Sequence, residues 1–205
     1  IAWQTAFKGF EVRVYDASDA GLEKAKAFHK SYAELFASRG ASMADLEATF
    51  ERLSYTTDLK QAVDGVDLVS ESVPEDIKIK TAFYTELAKV AGPKTIFTSN
   101  SSTTVPSTYM EATGRPKQFL ALHFANGIWD QNIAEIMGSP KTDPAIFEQV
   151  VAFSEAIGMV PIRIHKEQNG YVLNSLLVPL LMAATDLFMN GVAQPEDIDK
   201  TWQIS

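Results

Sequence analysis

Cysteine is absent from the 205 residues of this chain. Its absence excludes a disulfide scaffold, a thiol nucleophile and any zinc or iron–sulfur site built on thiolates. Histidine is scarce too, because only His29, His123 and His165 occur, and they lie far apart in the sequence. A histidine-rich metal site is therefore not expected, and the sequence predicts no metal ion.

Basic residues are outnumbered. The chain has 18 Lys and Arg against 26 Asp and Glu, which gives a net charge of −8. Nucleic acids are bound through clustered Lys and Arg, so this balance argues against a non-specific nucleic-acid-binding protein. A small anionic ligand remains compatible with it, provided that a local basic patch or a helix N-terminus receives the charge.

A long uninterrupted apolar run is missing as well. The longest candidate covers residues 171–189, and it is broken by polar residues and a proline, namely Asn174, Ser175, Pro179, Thr185 and Asp186. We therefore expect a buried helix of a globular protein, kinked at Pro179, rather than a membrane span. Residues 1–9 lack the basic start and apolar stretch of a signal peptide, so we expect a cytoplasmic protein.

Strands and helices are predicted to alternate along most of the chain. Apolar alternation and turn residues predict strands near residues 10–15, 55–56, 66–73, 95–98, 119–122, 133–137 and 159–164. Helical periodicity and capping residues predict helices near residues 1–8, 18–39, 42–53, 58–63, 76–91 and 143–157. Such alternation specifies an α/β fold with a mainly parallel, doubly wound sheet. From residue 166 onward the pattern is purely helical, so we expect domains at 1–165 and 166–205.

Asp16 follows a predicted strand that is preceded by a helix. An acidic residue in that position often binds the adenosine ribose of a dinucleotide. The glycine-rich phosphate loop would lie about 20 residues upstream, before Ile1, and no two of the eleven glycines are spaced as Gly-x-Gly. The pattern therefore predicts that a first strand and its loop precede Ile1. The plainer alternative is that Asp16 is a turn or helix-cap residue.

Six short motifs occur in a fixed order. They are Val14-Tyr15-Asp16; Ser72-Val73-Pro74-Glu75 with Lys80; Ser99-Asn100-Ser101-Ser102; Leu122-His123-Phe124 with Asn126; Glu135; and Asn174-Ser175-Leu176-Leu177-Val178-Pro179. In this order and spacing the chain resembles the 3-hydroxyacyl-CoA dehydrogenase family, including the bacterial 3-hydroxybutyryl-CoA dehydrogenases, over essentially its whole length. The resemblance implies a Rossmann-like NAD-binding domain, truncated at its N-terminus, followed by the start of an all-helical domain that is truncated at its C-terminus.

The resemblance also implies roles for single residues. It implies that NAD is the cofactor and that Asp16 binds its ribose, which favours NAD over NADP because a carboxylate repels a 2′-phosphate. Further cofactor contacts are implied for Glu75, Lys80, Asn100 and Ser102. His123 matches the catalytic histidine and Glu135 its carboxylate partner. Contacts to the substrate, including its reacting oxygen, are implied for Ser102, Asn126 and Asn174.

The implied reaction is the oxidation of an L-3-hydroxyacyl-CoA to the 3-oxoacyl-CoA, as in fatty acid metabolism. A histidine suits removal of the hydroxyl proton because its pKa lies near physiological pH. The implied partners are the acyl-CoA substrate and a second copy of the chain, joined through the helical domain. On the first long helix, Lys24, Lys26 and Lys30 are candidates for contacts with CoA phosphates, although a solvated face is the simpler interpretation.

The chain departs from the family pattern at four positions. Gly127 stands where proline usually follows the asparagine, Ser101 replaces threonine, Thr103 replaces serine, and Ser175 replaces arginine. These departures leave two alternatives open: a dehydrogenase of a non-CoA hydroxy acid of the carnitine or gulonate type, and a catalytically silent, crystallin-like relative. Taken singly, the site residues also allow structural explanations, such as an Asn174 side chain that only bonds a neighbouring backbone.

Overall fold

Helices and strands alternate through most of the computed structural model, which describes residues 1–205. The strands are β1 (Val12–Tyr15), β2 (Leu53–Thr56), β3 (Leu68–Glu71), β4 (Ile96–Ser99), β5 (Phe119–Phe124), β6 (Ile133–Gly138) and β7 (Val160–Ile164). The helices are α1 (Ala2–Phe7), α2 (Asp19–Ser38), α3 (Met43–Glu51), α4 (Leu59–Val63), α5 (Ile77–Val90), α6 (Pro144–Ala156), α7 (Leu173–Met189) and α8 (Pro195–Ile204). The predicted α/β class with a helical C-terminal part is confirmed.

The strands form two sheets. β1 pairs with β2, and the order β3-β4-β5-β6-β7 forms a five-stranded sheet. All pairs are parallel except β5 with β6, which is antiparallel. The carboxyl ends of the parallel strands β3, β4 and β5 therefore lie at one edge of the larger sheet, which is where α/β folds place their ligands.

Short polar side chains begin the helices. Ser18 accepts a hydrogen bond from the Gly21 N–H at the start of α2, and Ser42 forms a capping box at the start of α3. Asp76 accepts from two N–H groups at the start of α5, and Asp143 precedes a proline in the first turn of α6. These side chains bond N–H groups that have no partner within the helix, which is why the helices begin there.

The apolar core lies mainly around β5. Every residue of this strand is buried, and its side chains pack with those of β6 and α6 on one side and with those of α5 on the other. A separate cluster around Trp3 joins α1, α2 and α3 to the smaller sheet. Burial of β5 from both faces makes it the rigid support of the residues at its carboxyl end.

Two predicted elements differ in part from the structure. A strand was predicted near residues 66–73, but β3 covers only Leu68–Glu71 and Glu71 is its one buried residue, because β3 is the edge strand of its sheet. The helix predicted within residues 171–189 exists and runs continuously through Pro179, but none of its residues is buried, because α8 is its main neighbour.

None of the helices combines the length and apolar composition that crossing a membrane requires.

His29 lies on α2 and faces the cluster around Trp3 rather than solvent. Its side chain is buried between α1 and β2, with Nδ1 2.6 Å from the Tyr55 hydroxyl and its ring beside that of Trp3. Burial lowers the pKa of His29 to about 4. The ring is therefore neutral at physiological pH, and it has a structural role in the cluster around Trp3.

Candidate active site

The register of β5 against β6 brings His123 and Glu135 together. The two residues are direct partners in this antiparallel pair, so their side chains project from the same face of the sheet. Nδ1 of His123 lies 2.8 Å from Oε2 of Glu135, and both side chains are buried. Because Nδ1 is occupied by the carboxylate, Nε2 is the ring nitrogen left to exchange a proton.

The other oxygen of Glu135 is held by the main chain at the start of α7. Oε1 accepts hydrogen bonds from the N–H groups of Val172 and Leu173, both at 2.8 Å. Burial alone would raise the pKa of Glu135, but the hydrogen bonds from His123, Leu173 and Val172 outweigh it and hold the pKa below its usual value. Glu135 is therefore an ionised, fully bonded partner for the histidine.

Ser102 and Asn174 also lie together. The Asn174 side-chain amide donates to the backbone carbonyl of Ser102 at 3.0 Å. This contact joins the loop after β4 to the first turn of α7, although Ser102 and Asn174 are 72 residues apart in the sequence. The bond between Asn174 and a neighbouring backbone, one of the plainer alternatives, is therefore present. It also fixes two of the three predicted substrate-binding residues relative to each other.

Glu75 is hydrogen-bonded by the loop after β4. Its carboxylate accepts hydrogen bonds from Ser101, Thr103 and Thr104, and the Lys80 ammonium lies 3.4 Å from it. Burial alone would raise the pKa of Glu75, but these hydroxyls and the ammonium hold it below its usual value. Glu75 is therefore ionised, and part of its side chain remains exposed at the edge of the sheet.

A buried carboxylate beneath this loop was missed by sequence reasoning. Glu71, at the carboxyl end of β3, accepts hydrogen bonds from the Lys80 ammonium at 2.7 Å, the Tyr84 hydroxyl at 2.6 Å, the Ser99 hydroxyl at 2.9 Å and the Val73 N–H at 2.6 Å. The Lys80 side chain is only 1% exposed. Lys80 is therefore shielded from solvent, and its link to the exposed edge of the sheet is its contact with Glu75. The feature of the sequence that could have indicated this site is an acidic residue, Glu71, within a predicted strand.

Asp16 lies apart from these groups, at the end of β1 in the smaller sheet. Its carboxylate accepts from the backbone N–H and the hydroxyl of Ser18, at 2.9 and 3.0 Å. A Cβ placed on Gly21 would lie 2.2 Å from the Asp16 Cγ, so glycine at that position is what makes room for the carboxylate. The structure therefore presents Asp16 at the first turn of α2, at a strand end.

The two remaining predicted residues are asparagines with different surroundings. Asn100 accepts a hydrogen bond from the Phe124 N–H at 3.0 Å and donates to the Ser72 hydroxyl at 3.3 Å, so it links the ends of three strands. Asn126 is exposed in the loop after β5. His123, Glu135, Ser102 and Asn174 thus meet around the start of α7, whereas Asn126 and Asp16 stand at the surface.

Sequence models of protein families match the chain from end to end. The 3-hydroxyacyl-CoA dehydrogenase NAD-binding domain matches residues 1–168. The C-terminal domain of the same family matches residues 170–205.

Individual relatives agree with this assignment. The human mitochondrial hydroxyacyl-coenzyme A dehydrogenase is 33% identical over 210 residues, covering 100% of this chain and 67% of that protein. A probable 3-hydroxybutyryl-CoA dehydrogenase of Deinococcus radiodurans is 32% identical and covers 97% of this chain and 71% of its own length. A solved diketoreductase structure is 50% identical, with a TM-score of 0.95, and the match covers 99% of this chain and 72% of that one. The chain therefore belongs to the 3-hydroxyacyl-CoA dehydrogenase family, whose members are NAD-dependent oxidoreductases acting on CH–OH groups.

Proposed function

We propose that the protein oxidises an L-3-hydroxyacyl-CoA to the 3-oxoacyl-CoA with NAD, using His123 and Glu135 as a general acid–base pair. The observation that carries the proposal is the 2.8 Å contact between His123 Nδ1 and a Glu135 carboxylate that is fully bonded on its other side. A carboxylate in that position fixes the ring and stabilises the imidazolium that forms when Nε2 takes a proton.

The proton and the developing charge on the substrate oxygen have separate partners in this scheme. Nε2 of His123 removes the hydroxyl proton of the substrate as a hydride leaves the carbon that bears this hydroxyl group. The Ser102 hydroxyl and the Asn174 amide then donate hydrogen bonds to the oxygen as its charge develops. The bond between Asn174 and the Ser102 carbonyl keeps these two donors at a constant separation. In the reverse direction, the imidazolium returns the proton to the carbonyl oxygen.

The residues at the strand ends fit a dinucleotide. Asp16 is available for the ribose, and an ionised Glu75 lies at the carboxyl end of the larger sheet with Ser101, Thr103 and Thr104 around it. Bound there, NAD would supply the acceptor for the hydride. The Asp16 carboxylate would repel a 2′-phosphate, which supports the preference for NAD over NADP. Lys80 and Glu71 hold Glu75 in place from below.

A second candidate is a carbonyl reductase or hydroxy acid dehydrogenase that does not use CoA. It is favoured by the 50% identity to a diketoreductase whose structure concerns the dual catalysis of dicarbonyl compounds. Two of the three α2 lysines that could meet a CoA phosphate already have partners, because Lys26 is paired with Glu23 at 2.7 Å and Lys24 lies over the Phe28 ring. The same histidine and glutamate would serve this chemistry.

The silent, crystallin-like alternative is less well supported. A protein that only binds a dinucleotide has no need of a histidine held by a buried carboxylate, because burying the carboxylate costs desolvation free energy and serves only to orient the ring. Here all four residues are present: His123 contacts Glu135, Glu135 bonds the start of α7, and Asn174 in the first turn of α7 bonds Ser102. The intact set supports an active enzyme.

A substrate panel tests these alternatives. NADH formation from 3-hydroxybutyryl-CoA, carnitine and gulonate is measured beside NADH consumption with a dicarbonyl compound. Turnover of the CoA thioester supports the first proposal. Turnover of the other compounds alone supports the second, and no turnover of any supports the silent alternative. Replacing His123→Ala should lower kcat by about 10²-fold or more, the usual loss for a general base.

We also propose that the protein forms a homodimer through α7 and α8. The apolar residues of these helices are exposed to an unusual degree, reaching 70% at Leu176, 63% at Met182, 74% at Met189 and 67% at Trp202. Apolar patches of this kind mark interfaces in soluble proteins. Light scattering of the wild type and of Met182→Glu tests this: a dimer in the first and a monomer in the second are expected.

A further inference from the structure

Tyr171 has a backbone conformation that is unusual for its type. It is the only residue other than glycine with a positive φ, at 57°. The left-handed region brings Cβ close to the following carbonyl oxygen, so a bulky L residue pays a conformational cost there. Such a conformation persists only where the surroundings hold it, and it is often found at functional sites.

The side chain of Tyr171 stabilises this backbone conformation. It is 1% exposed and packs with Ala121, Met137 and Ile164 beneath the site. Its hydroxyl donates to the Thr104 carbonyl at 3.1 Å, and its ring centroid is 5.1 Å from that of His123. The residue is therefore anchored both to the loop after β4 and to the neighbourhood of the catalytic ring.

The left-handed turn decides where the next N–H groups point. Val172 and Leu173 follow it directly, and their N–H groups are the two that reach Oε1 of Glu135 at 2.8 Å. We propose that Tyr171 is a positioning residue, whose left-handed backbone directs these two N–H groups onto Glu135 and whose buried side chain keeps the turn in place. This inference rests on the proposed role of His123 and Glu135.

The consequence is that α7 is coupled to the catalytic pair. A carboxylate bonded only by His123 could rotate about its side-chain torsions, whereas one bonded at both oxygens has a single position. The same segment is fastened to the loop after β4 through the Gly170 N–H, which donates to the Thr103 carbonyl at 3.3 Å, and through Asn174. The lowered pKa of Glu135 agrees with this double attachment.

A comparison of Tyr171→Gly with Tyr171→Ala tests the backbone part of the proposal. Both variants remove the ring, but glycine adopts a positive φ at no steric cost, whereas alanine does not. We expect kcat of the alanine variant to be about 5- to 30-fold below that of the glycine variant. This range is the free-energy cost of the left-handed conformation, converted into the fraction of molecules that adopt it. If Tyr171 only filled space, alanine would do at least as well as glycine, and that result would overturn the proposal.

A spectroscopic readout separates this inference from the proposed function. The Nδ1 proton of His123, bonded to Glu135, should give a far-downfield NMR resonance in protein labelled at histidine, identified by its loss in His123→Asn. It is recorded without substrate or cofactor. We expect the resonance in the wild type and in Tyr171→Gly, and its shift or loss in Tyr171→Ala. An unchanged resonance in Tyr171→Ala would contradict the positioning role, whatever the substrate is.

Tyr171→Phe tests the anchor in a variant that keeps the ring and is expected to fold. Loss of the bond to Thr104 should lower kcat about 3- to 10-fold, the usual value of one neutral hydrogen bond. The matched control is Tyr109→Phe, since Tyr109 is equally buried and its hydroxyl has no partner. The control should keep the wild-type kcat. Equal kcat in the two phenylalanine variants would overturn the anchoring role.

Discussion

Replacing Glu135→Gln changes one carboxylate oxygen of the proposed catalytic pair into an NH₂ group, and the structure dictates which one. The N–H groups of Val172 and Leu173 both need an acceptor, so the amide oxygen should face them. The NH₂ group then faces Nδ1 of His123. Because two donors cannot share that contact, the ring must carry its proton on Nε2, and a protonated Nε2 cannot accept the proton of the substrate.

The size of the loss has two sources. The pair is buried, with side chains 7% and 1% exposed, so the attraction between Glu135 and the imidazolium that forms during the reaction is weakly screened. At an effective dielectric constant of about 20, a charge pair about 4 Å apart contributes ~4 kcal/mol, which corresponds to roughly 10³-fold in rate. The wrong tautomer alone costs about 10⁴-fold where an equivalent change was made in a serine protease triad. We therefore expect kcat to fall about 10³- to 10⁴-fold.

The assay is NADH formation with saturating substrate, beside calorimetric titration of NAD and urea unfolding. Cofactor affinity should change little, because Glu135 bonds only His123 and the start of α7. Glu135→Ala is the comparison: it removes the same charge without imposing a tautomer, so its loss should be that of the charge alone, about 10³-fold. A glutamine variant within tenfold of the wild type, or one more active than the alanine variant, would refute this reasoning.

Three further changes test other parts of the structure. Gly21→Ala should displace the Asp16 carboxylate, because a Cβ would lie 2.2 Å from its Cγ. The affinity for NAD, measured by calorimetry, should then fall about tenfold, which is roughly the value of one charge-assisted hydrogen bond. The control is Gly92→Ala, whose Cβ meets only an ordinary contact, and it should leave the affinity for NAD unchanged. Burial lowers the pKa of His29 from 6.5 to about 4, so the unfolded chain binds the extra proton and the free energy of unfolding should fall as the pH drops from 6.5 to 4. Urea unfolding of His29→Gln should lack this dependence, and an equal slope in both proteins would exclude His29 as its source. Lys80→Met should lower the free energy of unfolding by about 3–5 kcal/mol, because it leaves a buried carboxylate without its cation, and a loss below about 1 kcal/mol in urea unfolding would contradict that account.

Local sequence patterns were sufficient to predict most helices and strands. Capping residues such as Ser18, Ser42 and Asp143 act within one turn, so their effect can be read from neighbouring positions. Burial was less predictable, because it depends on which elements pack together. The His29 side chain is buried by α1 and β2, and α7 is left exposed since α8 is its main neighbour. Neither fact is encoded in the periodicity of the helix concerned.

The candidate site shows the same division between local and long-range information. The residue types at the site follow from ordered motifs, which identify His123, Glu135, Ser102 and Asn174 without any geometry. Their arrangement follows from tertiary packing: strand register places His123 opposite Glu135, and two N–H groups that follow the left-handed turn at Tyr171 bond the same carboxylate. Register and turn conformation are set by packing between residues distant in sequence, and the free energy of that packing is not expressed in any local pattern.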